Sequence, residues 1–200
     1  MPVDLGRVAI RDYINDCVDA IRAIGRRKVI IVSHSMGTLI GAKVAEENPD
    51  LVAGYIGMAS APPRWVVMGP RTVLKMPKYF GKMLGKHTFT LNARDARDLL
   101  LNGLCEKYIR EALSQMCPES GTAAMEVTLG KYAMHELSCP SLLIGGKFDR
   151  ITPFQRPVAK KLGAKYIELA LPHMMMANVP LVSATIDGWL KRLPIGLSGY

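Results

Sequence analysis

One stretch, residues 28–48, constrains the fold of this chain most, because it changes from a strand pattern to a helix pattern within a few residues. Residues 28–32, KVIIV, form an apolar, β-branched run that suits a buried strand. Small residues then mark one face of an apolar helix, namely Gly37, Gly41, Ala42 and Ala45. Only Ser33-His34-Ser35-Met36-Gly37 lies between the two patterns. The sequence therefore predicts a strand that turns directly into a helix, with Ser35 at the tip of the turn.

A turn this sharp strains the backbone of its central residue and exposes the side chain, which is the form of a nucleophile elbow. The residues two positions before and after must be small, because larger side chains would collide across the turn. Ser33 and Gly37 meet this condition. Ser33 replaces the first glycine of the G-x-S-x-G motif, so the local match alone is weak. Ser35 could instead be a helix N-cap.

Length and composition predict one globular domain, with room for an insertion. The chain has 200 residues, of which 49% are hydrophobic and 22% charged. There is no C-x-x-C pair, and the cysteines lie far apart, at Cys17, Cys105, Cys117 and Cys139. This pattern favours thiols in a reducing compartment over disulfides or a zinc site. The N-terminus has no apolar signal region and no run reaches transmembrane length, so we expect a soluble, cytoplasmic protein.

Helix and strand patterns alternate along most of the chain. A helical period over residues 9–24 ends at Gly25, and residues 51–59 form a second apolar strand before a proline-containing break. Two more strands are predicted at 139–146 and 164–171, with helices at about 154–162 and 176–193. This alternation predicts an α/β fold with a mostly parallel sheet of about four strands and flanking helices.

Residues 64–137 interrupt that alternation and show no convincing strand. From Arg64 to Arg94 there are seven Lys or Arg residues and no Asp or Glu. An amphipathic helical stretch follows at 95–115, and another short helix is predicted within 120–137. The interpretation is a helical insertion between two strands of the sheet.

Three polar residues that follow the predicted strands are candidates for nucleophilic catalysis. They are Ser35, Asp149 and His173, in that order, and sites in open parallel sheets form at the carboxyl ends of the strands. A histidine can take the proton of a serine hydroxyl, and a carboxylate can orient that histidine. Each residue also has an ordinary structural interpretation: Asp149 could support a turn and His173 could begin a helix. The other three histidines (His34, His87, His135) are interpreted as structural or surface residues.

Nearly the whole chain resembles the α/β-hydrolase superfamily. The matching segments are VIIVSHSMGTLIG, ENPDLVAGYIGMASAPP, CPSLLIGGKFDRITP and YIELALPHMMM. The resemblance implies a core formed by 1–63 and 138–200, with 64–137 as a helical cap. It also implies that Ser35 is the nucleophile, Asp149 the acid and His173 the base. The backbone N–H of Met36 would supply one donor of the oxyanion hole.

The resemblance begins late, because complete members of this superfamily have further strands before the first predicted helix. We therefore expect a partial α/β-hydrolase fold that lacks its first strands and leaves strand 28–32 at the edge of the sheet. The loop that supplies a second oxyanion donor would be missing as well. Loss of one such donor typically lowers turnover by about 10²–10³-fold.

The expected function is hydrolysis of carboxylic esters of small to medium hydrophobic substrates through an acyl-enzyme, without a cofactor or metal. Two alternatives stay open: a non-catalytic binding or oligomerisation protein, and a truncated chain with impaired activity. A homo-oligomer could cover the exposed sheet edge. The formal charge of +9 and the basic segment at 64–94 allow a weak contact with an anionic membrane surface. Nucleic-acid binding is not expected, since no recognised module accompanies the charge.

Overall fold

In the described part of the chain, the sheet has four parallel strands, as the sequence predicts. The computed structural model describes residues 4–25, 28–64 and 68–193. The strands lie side by side in chain order, as β1 (Val29–His34), β2 (Val52–Met58), β3 (Ser141–Gly146) and β4 (Lys165–Leu169). Val32 pairs with Ile56, and Ile56 in turn pairs with Leu142. All four carboxyl ends therefore meet at one edge of the sheet, where the predicted site residues follow.

Helices flank this sheet and also fill the segment between β2 and β3. In the described residues they are α1 (Ile10–Ile24), α2 (Met36–Glu47), α3 (Pro70–Lys75), α4 (Phe80–Leu84), α5 (Ala93–Leu99), α6 (Glu106–Ser114), α7 (Gly121–Thr128), α8 (Gln155–Leu162) and α9 (Val179–Leu190). Short 3-10 turns precede α1, α4 and α9. None of the helices in these residues is both long and apolar enough to span a bilayer.

An apolar core lies on each face of the sheet, because successive side chains of a strand point to opposite faces. On one face, residues of α1, α2 and α8 pack around Tyr55 and Leu143. On the other face, Trp189 of α9 belongs to a core with Ile56 and Leu142. Helices on both faces are typical of a parallel sheet, and they leave the carboxyl ends of the strands open for a site.

The prediction of one helical stretch over residues 95–115 is wrong in one respect, because α5 and α6 are separate helices. The chain turns at residues 100–105, where Gly103 adopts a positive φ of 79° that favours glycine. Asn102 donates from its side-chain amide to the carbonyl oxygen of Phe148 at 2.9 Å. The turn is thereby attached to the loop that follows β3, which a single continuous helix would not permit. The division into a core and a cap at 64–137 stays a prediction.

Part of the positive charge at 64–94 is paired within the protein. Lys75 contacts the carboxylates of both Asp95 and Asp98, Lys78 contacts Asp95, and Arg71 lies 3.0 Å from Asp98. These contacts attach α3 and the following turn to α5. The segment therefore presents less unpaired charge to its surroundings than its sequence indicates.

Candidate active site

Ser35 lies at the junction of β1 and α2, where the backbone is strained. Its φ of 53° and ψ of −125° are unusual for a residue other than glycine. Its N–H donates to the Met58 carbonyl at 3.0 Å, and its own carbonyl accepts the Thr38 hydroxyl at 2.6 Å. The side chain makes no capping hydrogen bond to α2, which removes the N-cap interpretation. The strained backbone instead leaves the Oγ atom available at the carboxyl edge of the sheet.

Small residues allow the chain to reverse at this point. A Cβ atom placed on Gly37 would lie 4.0 Å from the Cβ atom of Ser33, so these two positions face each other across the turn. The tightest approach comes one helical turn later. A Cβ atom on Gly41 would lie 2.9 Å from Cγ2 of Ile31, and therefore only glycine lets α2 pack this closely on β1.

His173 lies in the loop after β4, within hydrogen-bonding distance of Ser35. Its Nε2 atom is 2.9 Å from Ser35 Oγ, and its Nδ1 atom is 2.9 Å from Asp149 Oδ2. The imidazole is 1% exposed. Because a carboxylate only accepts hydrogen bonds, Nδ1 carries the proton, and Nε2 is left to accept the hydroxyl proton of Ser35.

Asp149 lies in the loop after β3 and uses both of its carboxylate oxygens. Oδ1 accepts the N–H groups of Ile151 and Thr152 at 2.8 and 3.0 Å, and Oδ2 accepts from His173 and the Thr152 hydroxyl. Burial opposes ionisation of this group. The contacts with His173 and the two N–H groups outweigh burial and lower the pKa of Asp149. The carboxylate thus supports the turn and also orients His173.

The three predicted residues therefore form one continuous hydrogen-bonded chain, from Ser35 through His173 to Asp149. Met36 begins α2, so its N–H has no carbonyl partner within the helix and lies next to Ser35. Such an arrangement can remove a hydroxyl proton during attack on a carbonyl and can donate a hydrogen bond to the oxygen that becomes negative. Within the described ranges, no group of three or more His, Cys, Asp or Glu side chains could hold a metal.

A cavity of about 730 Å³ opens beside Ser35 and His173. Most of its lining comes from the segment between β2 and β3, from both helices and loops. The apolar side chains in this lining are contributed by Met36, Met68, Met76, Phe89, Leu91, Leu99, Leu100, Met116, Val127, Ile151 and Met174. Polar side chains, among them Glu111, Gln115 and Glu119, complete it. The cavity is large enough for a small-molecule substrate and suits an apolar group next to the serine.

The sequence indicates a structural or surface position for His34, and in the structure this residue also lines the cavity. Its Nε2 atom lies 2.8 Å from the carbonyl oxygen of His173, and the two imidazole rings are 5.1 Å apart. His87 and His135 are exposed, as expected. The only sequence signal for His34 is its position directly before Ser35, which places it at the end of the same strand.

Gln155 is a second residue near the site whose contacts the sequence did not indicate. It is 2% exposed and accepts the N–H of Ser60 while donating to the carbonyl of the same residue, at 2.9 and 3.1 Å. Its side chain also donates to the carbonyl of Thr152. These bonds join the segment after β2 to the Asp149 loop. A buried glutamine at the start of a helix has no pattern that would reveal this role.

Comparison with known proteins gives a family match and similar structures. A family model described as alpha/beta hydrolase fold matches residues 4–104. The search of curated proteins gives no match. A monoacylglycerol lipase of Paleococcus ferrophilus is 19% identical, with a TM-score of 0.70 over 93% of this chain and 77% of the lipase.

Two further structures are similar at the same level. An extracellular α/β-hydrolase from a Paenibacillus species is 18% identical, with a TM-score of 0.68 over 94% of this chain and 81% of the other. Polyneuridine aldehyde esterase is 17% identical, with a TM-score of 0.61 over 92% of this chain and 79% of the esterase. At such low identities these similarities show the shared fold.

Proposed function

Because the chain belongs to the α/β-hydrolase fold family, we propose that it is a serine hydrolase that cleaves carboxylic esters of small to medium hydrophobic substrates. The observation that carries the proposal is the continuous hydrogen-bonded chain from Ser35 through His173 to Asp149, which opens on a largely apolar cavity. Two of the similar structures are a lipase and an esterase by name, which also favours ester hydrolysis.

In the proposed reaction, Ser35 Oγ attacks the ester carbonyl while its proton passes to His173 Nε2. Asp149 holds the imidazole in the required tautomer and stabilises the positive charge that forms on it. The tetrahedral intermediate then collapses, the bond to the alcohol breaks, and His173 returns the proton to the leaving alcohol. Water, deprotonated by the same histidine, attacks the acyl-enzyme and releases the carboxylic acid.

The backbone N–H of Met36 would donate to the oxyanion of the tetrahedral intermediate. It is the first N–H of α2 and points from the positive end of the helix dipole. A single donor of this kind is worth about 10²–10³ in turnover. Met36 would thus act through its backbone N–H alone. Its side chain can vary as long as the turn keeps its shape.

The decisive experiment is labelling with a fluorophosphonate, which reacts with activated serines. We expect labelling of the wild-type chain, and loss of labelling in Ser35→Ala and in His173→Ala. Ser114→Ala is the matched control, because Ser114 is an exposed serine at the end of α6. A folded wild-type protein that takes up no label, or a Ser35→Ala variant that labels as well as wild type, would contradict the proposal.

A panel of p-nitrophenyl esters then tests the substrate class. The apolar lining predicts that kcat/KM rises from the acetate to medium-length acyl chains, because each buried methylene contributes about 0.8 kcal/mol. The increase should stop when the chain exceeds the cavity. A panel in which the acetate is the best ester would argue against an acyl group bound among these apolar side chains.

A second candidate function is binding or oligomerisation without catalysis. The observation that favours it is the position of β1 at the edge of the described sheet, where Val32 is 54% exposed. A second copy that covers this strand would give a dimer in light scattering, and Val32→Lys should shift it toward the monomer. A monomeric wild-type protein would contradict oligomerisation through this strand.

We also propose a weak contact with anionic membrane surfaces through the basic segment at 64–94. Lys82 and Lys86 are exposed, and Leu84 between them is 70% exposed. Sedimentation with phosphatidylserine-containing vesicles should exceed that with phosphatidylcholine alone and should fall in Lys82→Glu. Lys107→Glu, on α6, is the control, because it makes the same change of charge at another exposed position. Equal sedimentation with both vesicle types would overturn this contact.

A cytoplasmic location is proposed from the cysteines alone. All four are free thiols, and Cys17, Cys105 and Cys117 are exposed. Exposed thiols persist in a reducing compartment and tend to oxidise elsewhere. Thiol trapping in intact cells should therefore find them reduced, and a disulfide-linked species would contradict the location.

A further inference from the structure

His34 makes a contact that the proposed reaction does not use. Its Nε2 atom lies 2.8 Å from the backbone carbonyl oxygen of His173. Because a carbonyl oxygen only accepts, Nε2 must carry the proton and donate it. His34 ends β1 and precedes Ser35 directly, so this hydrogen bond runs from the strand that carries the serine to the residue that would act as the base.

The loop that carries His173, residues 170–175, is attached to other parts of the fold as well, and its Leu171 and Met175 side chains are buried in the core on one face of the sheet. Leu171 accepts the N–H of Phe148 at 3.0 Å, and the N–H of Met174 donates to Leu100 at 3.3 Å. These bonds attach the loop to the Asp149 loop and to the end of α5. In the part of the chain that the structure describes, the only hydrogen bonds between this loop and the turn between β1 and α2 are the one from His34 and the one that joins Ser35 to His173.

The surroundings of His34 suit a neutral donor. Its ring packs against that of His173 at 5.1 Å with a tilt of 55°. Burial and the neighbouring His173 ring lower the pKa of His34, although its bond to the His173 carbonyl and the charge of Asp149 oppose this. A neutral His34 donates through Nε2 without placing a second positive charge beside His173 when that residue takes a proton.

We propose that His34 is a positioning residue, which fixes the His173 imidazole against Ser35 by holding the backbone carbonyl of His173. This inference rests on the proposed serine hydrolase activity, because it concerns the same histidine. Without the bond, the loop at 170–175 would lose its independent attachment to the turn, and the distance between Nε2 and Oγ would vary. A displacement of about 1 Å between reacting groups can lower a rate by about 10²-fold.

The test compares two substitutions that differ only in the donor. His34→Leu removes the donor and leaves an apolar side chain of similar bulk. His34→Gln places an amide nitrogen near the position of Nε2 and so retains a donor. We expect His34→Leu to lower kcat about 10–100-fold with KM changed less than about 3-fold. His34→Gln should recover kcat to within about 5-fold of wild type. His87→Leu, at an exposed histidine, is the control.

Several outcomes would overturn the inference. One is a His34→Leu variant with wild-type kcat, and another is a His34→Gln variant that is folded yet as slow as His34→Leu. A change in KM alone would show that His34 contacts substrate instead of positioning the base. If His34→Leu does not unfold cooperatively, His34→Asn replaces it, because the shorter asparagine amide cannot reach the carbonyl.

A measurement independent of activity separates this inference from the proposed function. In protein labelled with ¹⁵N at histidine, we expect the Nε2–H tautomer for His34. The imidazole signals of His173 should shift in His34→Leu and stay near wild type in His34→Gln. A wild-type protein that neither labels nor hydrolyses esters would overturn the proposed function, while these spectra would still decide on the contact. An Nδ1–H tautomer of His34, or unshifted His173 signals in His34→Leu, would overturn the inference that His34 positions His173.

Discussion

The hydroxyl of Thr152 donates to Asp149 Oδ2 at 3.0 Å, and the same carboxylate oxygen lies 2.9 Å from His173 Nδ1. Thr152 is 2% exposed, and its backbone N–H binds the other oxygen of the carboxylate. One residue therefore holds both oxygens of Asp149. Sequence patterns place Thr152 only in a turn before Pro153, so the structure adds it to the set of residues that support the site.

Replacing Thr152 with valine should remove the hydroxyl donor while keeping the shape of the side chain. We expect kcat/KM to fall about 3–30-fold and the free energy of unfolding to fall by about 1–2 kcal/mol, because a buried carboxylate oxygen loses a partner. Thr152→Ser keeps the hydroxyl, so its kcat/KM and its free energy of unfolding should stay close to those of wild type. The measurements are ester hydrolysis and urea unfolding. Equal effects of valine and serine would show that packing, and not the hydrogen bond, matters at this position.

Replacing Asp149 with asparagine should test the orientation of His173. The amide can present its nitrogen to Nδ1 and so favour the tautomer in which Nε2 carries the proton and cannot accept one from Ser35. We expect kcat to fall by about 10³–10⁴-fold, as in a serine protease with the corresponding change. Asp187→Asn, at an exposed position on α9, is the control. A loss smaller than 10-fold in a folded variant would remove Asp149 from the proposed mechanism.

The sheet and the site residues could be predicted from the sequence because each depends on local pattern and on strand order. Buried parallel strands are short apolar runs, and the residues that follow them must meet at one edge, so Ser35, Asp149 and His173 were predicted as neighbours. The break between α5 and α6 was missed, because the apolar periodicity continues through residues 100–105, where the chain turns and Gly103 has a positive φ. The hydrogen bond of His34 was missed as well, since it is made to a residue 139 positions away.

Two glycines near the turn should respond differently to alanine. A Cβ atom on Gly41 would lie 2.9 Å from Cγ2 of Ile31 and 3.3 Å from Cε2 of Tyr55, whereas one on Gly37 meets nothing closer than 4.0 Å. We therefore expect Gly41→Ala to lower the free energy of unfolding by about 1–3 kcal/mol through overpacking. Gly37→Ala should change it by less than about 1 kcal/mol. Urea unfolding monitored by circular dichroism compares them, and equal losses would mean that α2 can move away from β1.

Asp95 should make stability depend on pH. It is 2% exposed and contacts Lys75, Lys78 and the hydroxyl of Tyr79. Burial opposes its ionisation, but Lys78, Tyr79 and Lys75 outweigh burial and lower the pKa of Asp95 from 3.8 to about 2. Because the folded pKa lies below the unfolded one, the contribution to stability is complete above about pH 5 and is lost as pH falls toward 2.

The shift corresponds to about 2 kcal/mol at neutral pH, and roughly half of that should be lost by pH 3. Asp95→Asn lacks the titrating group but keeps a side chain of the same size. Urea unfolding of wild type and Asp95→Asn at pH 7 and pH 3 tests this, because contributions from other carboxylates cancel in the difference between the two proteins. We expect the stability advantage of wild type to shrink by about 1 kcal/mol between these pH values. An advantage that stays constant would show that Asp95 titrates alike in the folded and unfolded chain, and that its contacts with Lys75 and Lys78 contribute little.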